Sequence, residues 1–388
     1  MRPSGPLSGL HVVELAGLGP APFAAMVLAD MGADVVRVER VGYRYEFEPE
    51  PDFLCRGRRS IAVNLKHPDG VEALLRLAER SDVLLEGFRP GVAERLGVGP
   101  DECLARNQRL VYGRVTGWGQ DGSYAQTPGH DINYIALAGA LHLFGYPDRP
   151  PLPPTNLVGD MGGGGLLLVA GVMAALWECG RSGKGQVVDA AMVDGAALMM
   201  TMIFSRMAAG TWDDRRGAND MQGAAPFYTV YETADHQYVS VAAAEQVFFD
   251  ALAEVLGLDA DAWSDRLDPA SWPAHRAELA AIFSTRTRDD WREVFEGTQA
   301  CVAPVLSPAE APDHPHNKSR QTFTEVGGVV QPAPAPRFSR TRTAVPGAPP
   351  VKGRHTREVL AESGYSAAET GRLIADGAVG TADDGSGD

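Results

Sequence analysis

Leu10-His11-Val12-Val13-Glu14-Leu15-Ala16-Gly17-Leu18-Gly19-Pro20-Ala21-Pro22 begins a pattern that closes at Ala33-Asp34-Val35-Val36-Arg37-Val38-Glu39. Residues 10–15 read as a buried strand, residues 22–31 as a helix and residues 33–39 as a second strand. Strand, helix and strand in that order make a βαβ unit, which needs a parallel sheet with a helical crossover. Gly17-Leu18-Gly19 lies at the first turn, and Glu39 follows about twenty residues on, as in dinucleotide-binding sheets. The third glycine of that fingerprint is replaced by Pro22. Proline lacks the amide and fills the space that lets helix and strand approach, so the turn reads as a tight βα connection and not as a nicotinamide site.

The alternation continues outward from this unit. Residues 61–65 and 83–87 read as strands around a helix at 70–80, and short helices at 91–107 lead to a strand at 110–116. Beyond a polar loop at 117–129 the sequence predicts a helix over 132–144 and a proline-dense connector at 147–154. A long apolar helix at about 161–178, a strand at 187–190 and a helix at 192–209 follow. Residues 228–233 and 238–243 alternate like a hairpin. Helices are expected at 247–256, 274–284 and 289–296, then a proline-rich crossing at 332–350 and two short helices within 355–378.

A chain of 388 residues is too long for one ordinary core, so two domains are expected. Residues 1–224 would form a large domain and 225–329 a smaller α+β domain. Residues 330–380 would return to the first, and 381–388 would be a disordered tail. Net charge is −15, which argues against a nucleic-acid partner. The apolar run at 162–177 is short for a membrane span and closely flanked by Asp160 and Glu178, so a buried helix is expected and no membrane partner. Cys55, Cys103, Cys179 and Cys301 lie far apart with no Cys-x-x-Cys pair, which speaks against a zinc site and suits a reducing, cytoplasmic setting. Against the acidic whole, Arg37, Arg40, Arg56, Arg58, Arg59, Lys66, Arg89 and Arg95 crowd the first hundred residues. They form either a solvated face or an anion site.

Five separated segments resemble the family III CoA-transferases over residues 5–379. They are Gly5 to Leu15, Ala29 to Glu39, Gly87-Phe88-Arg89-Pro90-Gly91, Gly183 to Asp189 and His355 to Leu360. Gly129-His130-Asp131-Ile132-Asn133-Tyr134 and Asn156-Leu157-Val158-Gly159-Asp160 resemble the family's α-methylacyl-CoA racemases in particular. The resemblance implies a Rossmann-like large domain built from both chain ends, a smaller domain and an interlocked homodimer. It implies an isomerase of lipid metabolism that interconverts 2R and 2S 2-methylacyl-CoA thioesters, with coenzyme A as part of the substrate and no separate cofactor or metal. His130 and Asp160 would be its acid/base pair. The transferases generally lack the histidine, and their aspartate attacks the acyl group to form an anhydride. CoA transfer through Asp160 is therefore the alternative activity, and a non-catalytic acyl-CoA binder a more distant one.

By the same resemblance CoA contacts fall on Arg40, Val63, Asn64, Leu65, Lys66, Gly87, Phe88, Arg89, Arg95, Gly129, Ile132, Asn133 and Tyr134. Arginine forks and lysine point charges both suit phosphate oxygens, whereas Arg56, Arg58 and Arg59 stay open between ligand and structure. Glu245 would orient the histidine, Asn156 could share the proton of Asp160, and the backbone N–H of Asp131 would face the thioester oxygen.

The chemistry explains why such residues are needed. Inverting a carbon beside a thioester takes one proton from one face and returns one to the other. Histidine titrates near neutrality and suits this. Aspartate ionises well below, so Asp160 needs a raised pKa or a proton-sharing partner. The intermediate enolate gathers charge on oxygen, where an amide donor is worth about 3 kcal/mol. Met161-Gly162-Gly163-Gly164-Gly165 could serve close ligand approach or helix packing. Met26, Met192, Met199, Met200 and Met202 could pack a core or line an acyl channel. The loop at 43–51 carries no expectation beyond shaping an entrance.

Overall fold

The computed structural model describes residues 4–43 and 49–382. The opening pattern folds as read: β1 (His11–Leu15), α1 (Pro20–Asp30) and β2 (Asp34–Arg40) form the βαβ unit. Next come β3 (Arg59–Val63), α2 (Pro68–Glu79), β4 (Val83–Glu86), α3 (Val92–Arg95), α4 (Pro100–Arg106) and β5 (Val111–Thr116). The middle of the chain gives α5 (Asp131–Leu137), a π-helix (Leu157–Leu166), α6 (Leu167–Ser182), β6 (Val187–Ala191), α7 (Met192–Met199) and α8 (Thr201–Ala208). Then follow β7 (Tyr228–Glu232), β8 (Tyr238–Ala242), α9 (Gln246–Leu256), α10 (Trp272–Phe283), α11 (Arg288–Phe295), β9 (Val302–Pro304) and α12 (Pro315–Arg320). The chain ends with β10 (Phe323–Val326), β11 (Val329–Pro332), α13 (Thr356–Glu362), α14 (Ala367–Ala375) and β12 (Val379–Gly380).

Seven strands make the large sheet in the order β12-β3-β2-β1-β4-β5-β6. All neighbours are parallel except β12, which runs antiparallel to β3. Strand order 3-2-1-4-5-6 is the doubly wound arrangement, with its reversal between β1 and β4. Strands β1, β4 and β5 are buried on both faces, as an all-covered parallel sheet requires. One face packs Leu15, Ile61, Leu74, Leu84 and Leu360, and the other packs Val12, Leu28, Leu85, Leu168 and Val172.

The chain divides into two compact units, one of residues 1–138, 154–199 and 320–388, the other of 139–153 and 200–319. The second holds the antiparallel sheet β7-β8-β9 over a core of Phe249, Trp263, Phe283 and Trp291. The boundary expected at 224/225 thus falls inside this unit, which also takes the connector at 139–153. The expected helix over 132–144 stops at Leu137, because Gly139 turns left-handed (φ 89°) and a 3-10 turn follows. The helix expected over 192–209 is two helices separated at Met200.

Leu157–Ser182 is apolar and long enough to cross a membrane by length and composition alone. Leu168, Val169, Val172 and Ala175 on its inner face pack into the sheet's core, whereas Leu166 and Trp177 are exposed. The glycines before it serve packing. A Cβ on Gly164 would lie 2.8 Å from Met192, and one on Gly165 would lie 2.6 Å from Phe23. Small residues there let the π-helix settle between α1 and α7.

Candidate active site

In open α/β sheets ligands lie beyond the carboxyl ends of the strands near the topological switch. The carboxyl ends of β1, β2 and β3 and the turn after β4 surround such a cavity, of about 360 Å³. Leu15, Ala16, Val38, Val63, Leu65, Phe88, Val92 and Leu96 give it apolar walls, and Arg37, Glu39, Arg40, Asn64 and Lys66 give it polar ones. Arg40, Val63, Asn64, Leu65, Lys66 and Phe88 are therefore gathered here from three loops. Lys352 and Tyr43 line it too, and sequence reasoning assigned neither. Their signal was faint: one lysine in a proline-rich segment, and an aromatic at the start of an unassigned loop whose residues 44–48 lie outside the described residues.

Four further arginines of the basic cluster are tied into the fold. Arg37 and Arg58 both bond Glu14 inside the sheet. Arg56 pairs with Asp30 at 2.5 Å, and Arg59 reaches Asp34 and Glu362, each at 2.7 Å. The open question over Arg56, Arg58 and Arg59 is thereby decided for structure.

Gly87, Arg89, Arg95, Gly129, Ile132, Asn133 and Tyr134 do not line that cavity. Arg95 and Arg89 are exposed on and before α3. Residues 129–134 form the turn into α5. The Tyr134 hydroxyl donates to the Gly129 carbonyl, and its buried ring stands edge-on to Trp118 at 4.8 Å. Burial pushes the phenol up to about 12, the Asp160 carboxylate pushes the same way and Arg89 opposes both. Tyr134 braces the turn, and Asn133 Oδ1 accepts the His130 N–H at 3.0 Å. Together they fix the backbone that presents His130. That side chain is exposed, at the N-cap position of α5. Among the described residues no hydrogen bond takes the Asp131 and Ile132 amides, as expected for the first turn of a helix.

Asp160 sits on the π-helix, a form enriched at functional sites. Three neighbours hold it. Its amide donates to Asp131 Oδ2 at 2.7 Å, and Asn156 Nδ2 donates to its Oδ2 at 3.3 Å. The third is Gly19, where a Cβ would stand 3.1 Å from Asp160 Oδ2 and where φ is +69°. The Gly17-x-Gly19 turn that mimics a dinucleotide fingerprint therefore makes room for a carboxyl group. Burial raises the pKa of Asp160, the Asn156 amide lowers it, the Asp131 carboxylate raises it and the His130 charge lowers it, with a net rise. His130 and Asp160 thus share one electrostatic neighbourhood. The Asn156 bond to the carboxyl group favours its ionised form.

A carboxyl group whose native pKa lies above its unfolded value costs stability once it ionises. Below the ordinary aspartate value both states are protonated and the cost vanishes. Above the raised native value it is fully present. Asp160→Asn is therefore expected to raise the melting temperature at pH 7, with the gain shrinking as pH falls towards the ordinary aspartate range. Melting curves at several pH values measure this. A gain independent of pH would refute burial as the cause.

Glu245 is exposed at the N-cap position of α9 in the second unit, without a capping bond from its side chain. Met192 and Met200 are buried, whereas Met199 and Met202 are exposed.

These features define an α/β protein with a cation-rimmed cavity at its switch point and an imidazole–carboxyl pair in the same unit. The chain belongs to CoA-transferase family III, whose model matches residues 7–356. It is 46% identical to a protein of Mus musculus named alpha-methylacyl-CoA racemase, over 95% of this chain and 96% of that protein. To the Homo sapiens protein of the same name it is 44% identical, with the same coverage. Among solved structures it resembles a CAIB/BAIF family protein from Brucella suis, with a TM-score of 0.81 and 27% identity. That match covers 93% of this chain and all of the other.

Proposed function

We propose that this chain is an α-methylacyl-CoA racemase, an isomerase that interconverts 2R and 2S 2-methylacyl-CoA thioesters by 1,1-proton transfer. The names of the mouse and human relatives, at 46% and 44% identity over 95% of the chain, support this reading. The single structural observation that carries it is the pairing of His130 with a carboxyl group, Asp160, held protonation-ready by burial.

In this reading His130 takes the α-proton from one face: a C–H bond breaks, an N–H bond forms, and charge moves to the thioester oxygen. The Asp131 amide donates to that oxygen. Asp160 gives its proton to the opposite face, and the reverse reaction exchanges the roles. Arg40 and Lys66 hold CoA phosphates over the apolar walls of the cavity. Glu245 orients the His130 ring. The enzyme is a cytoplasmic homodimer of interlocked chains. Its four cysteines are free thiols, three of them buried. Trp177, Leu166 and Leu198 supply exposed apolar surface for a partner chain, at 75%, 50% and 62% exposure.

The deciding experiment is deuterium uptake at C2 of a (2R)-2-methylacyl-CoA in D₂O with no acceptor acid. Exchange with loss of optical purity is expected. No exchange, but hydroxylamine-sensitive acyl transfer once a carboxylic acid is added, would establish the CoA-transferase alternative, with Asp160 as nucleophile.

A further inference from the structure

Lys352 is brought to the cavity from a great distance in sequence. Its backbone is locked to the sheet next door. Gly353 N–H donates to Ser60 Oγ at 2.9 Å, and His355 N–H donates to the Ser60 carbonyl at 2.9 Å. Ser60 N–H returns a bond to His355 Nδ1 at 3.1 Å. Ser60 is fully buried on β3, the strand whose carboxyl end carries Asn64 and Lys66 into the same cavity. The ammonium is steered as well. Nζ donates to the Tyr43 carbonyl, and the Tyr43 ring carries the Arg40 guanidinium at 4.9 Å from its centre. Arg40, Lys66 and Lys352, from three separate segments, thus line one cavity with apolar walls, in a chain of net charge −15; the cavity's other charged groups, Arg37 and Glu39, pair with each other, and Glu39 also accepts from Ser60 Oγ.

An ammonium has three donors, and one goes to the Tyr43 carbonyl. A cation so placed serves an anion better than it serves the fold, because its stem and backbone are ordered before any ligand arrives. We propose that Lys352 is a phosphate-binding residue of this cavity, donating from Nζ to a phosphate of the coenzyme A moiety. This deepens the thioester reading above and rests on it. A cavity volume within the roughly 300–1,000 Å³ of small-molecule sites fits the nucleotide end of the ligand.

Calorimetric titration of the whole chain with CoA, 3′-dephospho-CoA and pantetheine tests it, with Lys352→Met and Lys352→Arg beside the wild type. Losing one charge-assisted bond should weaken CoA binding roughly tenfold in Lys352→Met and flatten its salt dependence. Lys352→Arg should recover most of the affinity, and pantetheine binding should not change. A loss that disappears with 3′-dephospho-CoA assigns the 3′-phosphate. A loss that persists assigns the pyrophosphate, and both outcomes support the proposal. Unchanged CoA affinity in Lys352→Met overturns it. So does an equal loss with pantetheine, which would mean that the lysine only holds the Tyr43 segment. A wild type that binds no CoA at all would instead sink the thioester reading itself.

Discussion

His130→Ala is expected to lower racemisation by about 10²–10⁴-fold, the usual contribution of a positioned acid/base group. The rate alone does not distinguish a catalytic histidine from a structural one, but the pattern of isotope exchange does. In the proposed mechanism, Asp160 would still serve one side of the α-carbon once His130 is gone. One antipode should continue to wash deuterium in, with retention of configuration. The other should lose both exchange and inversion. Asp160→Ala should show the mirror pattern, with the opposite antipode exchanging. Polarimetry and mass spectrometry on the two pure antipodes read both effects. A His130→Ala protein that inverts configuration within tenfold of the wild type would remove the histidine from the chemistry. Loss of all exchange with both antipodes would show that one group does the work alone.

This asymmetry rests on the environments of the two groups. The imidazole is exposed at the start of α5 and anchored through its own backbone by Asn133. The carboxyl group is half-buried against Gly19, with the Asp131 carboxylate beside its amide. Burial makes Asp160 hold its proton to higher pH, which a carboxyl group must do to act as a donor near neutrality.

Much of the large domain was legible because a parallel sheet states itself twice, in apolar strands and in amphipathic crossovers. The β1-α1-β2 unit could be read to within two residues at each boundary. Other features depend on long-range pairing, which spacing does not encode. β12 closes the sheet against β3 from the far end of the chain, with Val379 opposite Val63. Lys352 reaches the cavity the same way. Of the residues around Asp160, Gly19 and Asp131 were each visible and each assigned another part: one to a tight βα turn, the other for its amide. What the sequence withheld was the proximity of three chain segments that burial brings together.

The basic cluster shows the same limit. Arg37 and Arg40 lie on one strand, three residues apart, yet Arg37 is 1% exposed and Arg40 emerges at the strand's carboxyl end. Register decides between them. Glu14 pairs with Arg37 across β1 and β2, so the carboxylate and the guanidinium are opposed inside the sheet. The first arginine is held inside the fold, and the second stands exposed at the cavity.

That internal pairing carries the second large prediction. Glu14 is fully buried, and its two oxygens are taken by Arg37 and Arg58. Arg58 also bonds the carbonyls of Pro22 and Leu54, while Arg37 reaches the Gly17 carbonyl at 3.4 Å. Removing Glu14 strips Arg58 of its carboxylate and leaves Arg37, among its carboxylate contacts to the described residues, only the longer one to Glu39 at 3.7 Å, and breaking such a buried pair costs about 3–5 kcal/mol. Glu14→Ala is therefore expected to lose that much in urea unfolding. Replacing all three groups by apolar residues, as in Glu14→Leu with Arg37→Met and Arg58→Met, should recover much of the loss, because neither buried arginine is then stranded and Glu39 keeps its bond from Ser60 Oγ. Glu14→Ala unfolding at the wild-type midpoint would refute the network as a stabilising unit. The consequence reaches the site, because Arg37 holds the Gly17 carbonyl in the turn that carries Gly19, and Arg58 holds the Pro22 carbonyl in the first turn of α1 just beyond it. In the triple variant the fold is restored but the turn has lost its tethers. The Gly19 segment then no longer fixes where the Asp160 carboxyl group stands, so turnover should fall while the melting temperature does not. Wild-type turnover in a triple variant of restored stability would show that the arginines serve the sheet alone.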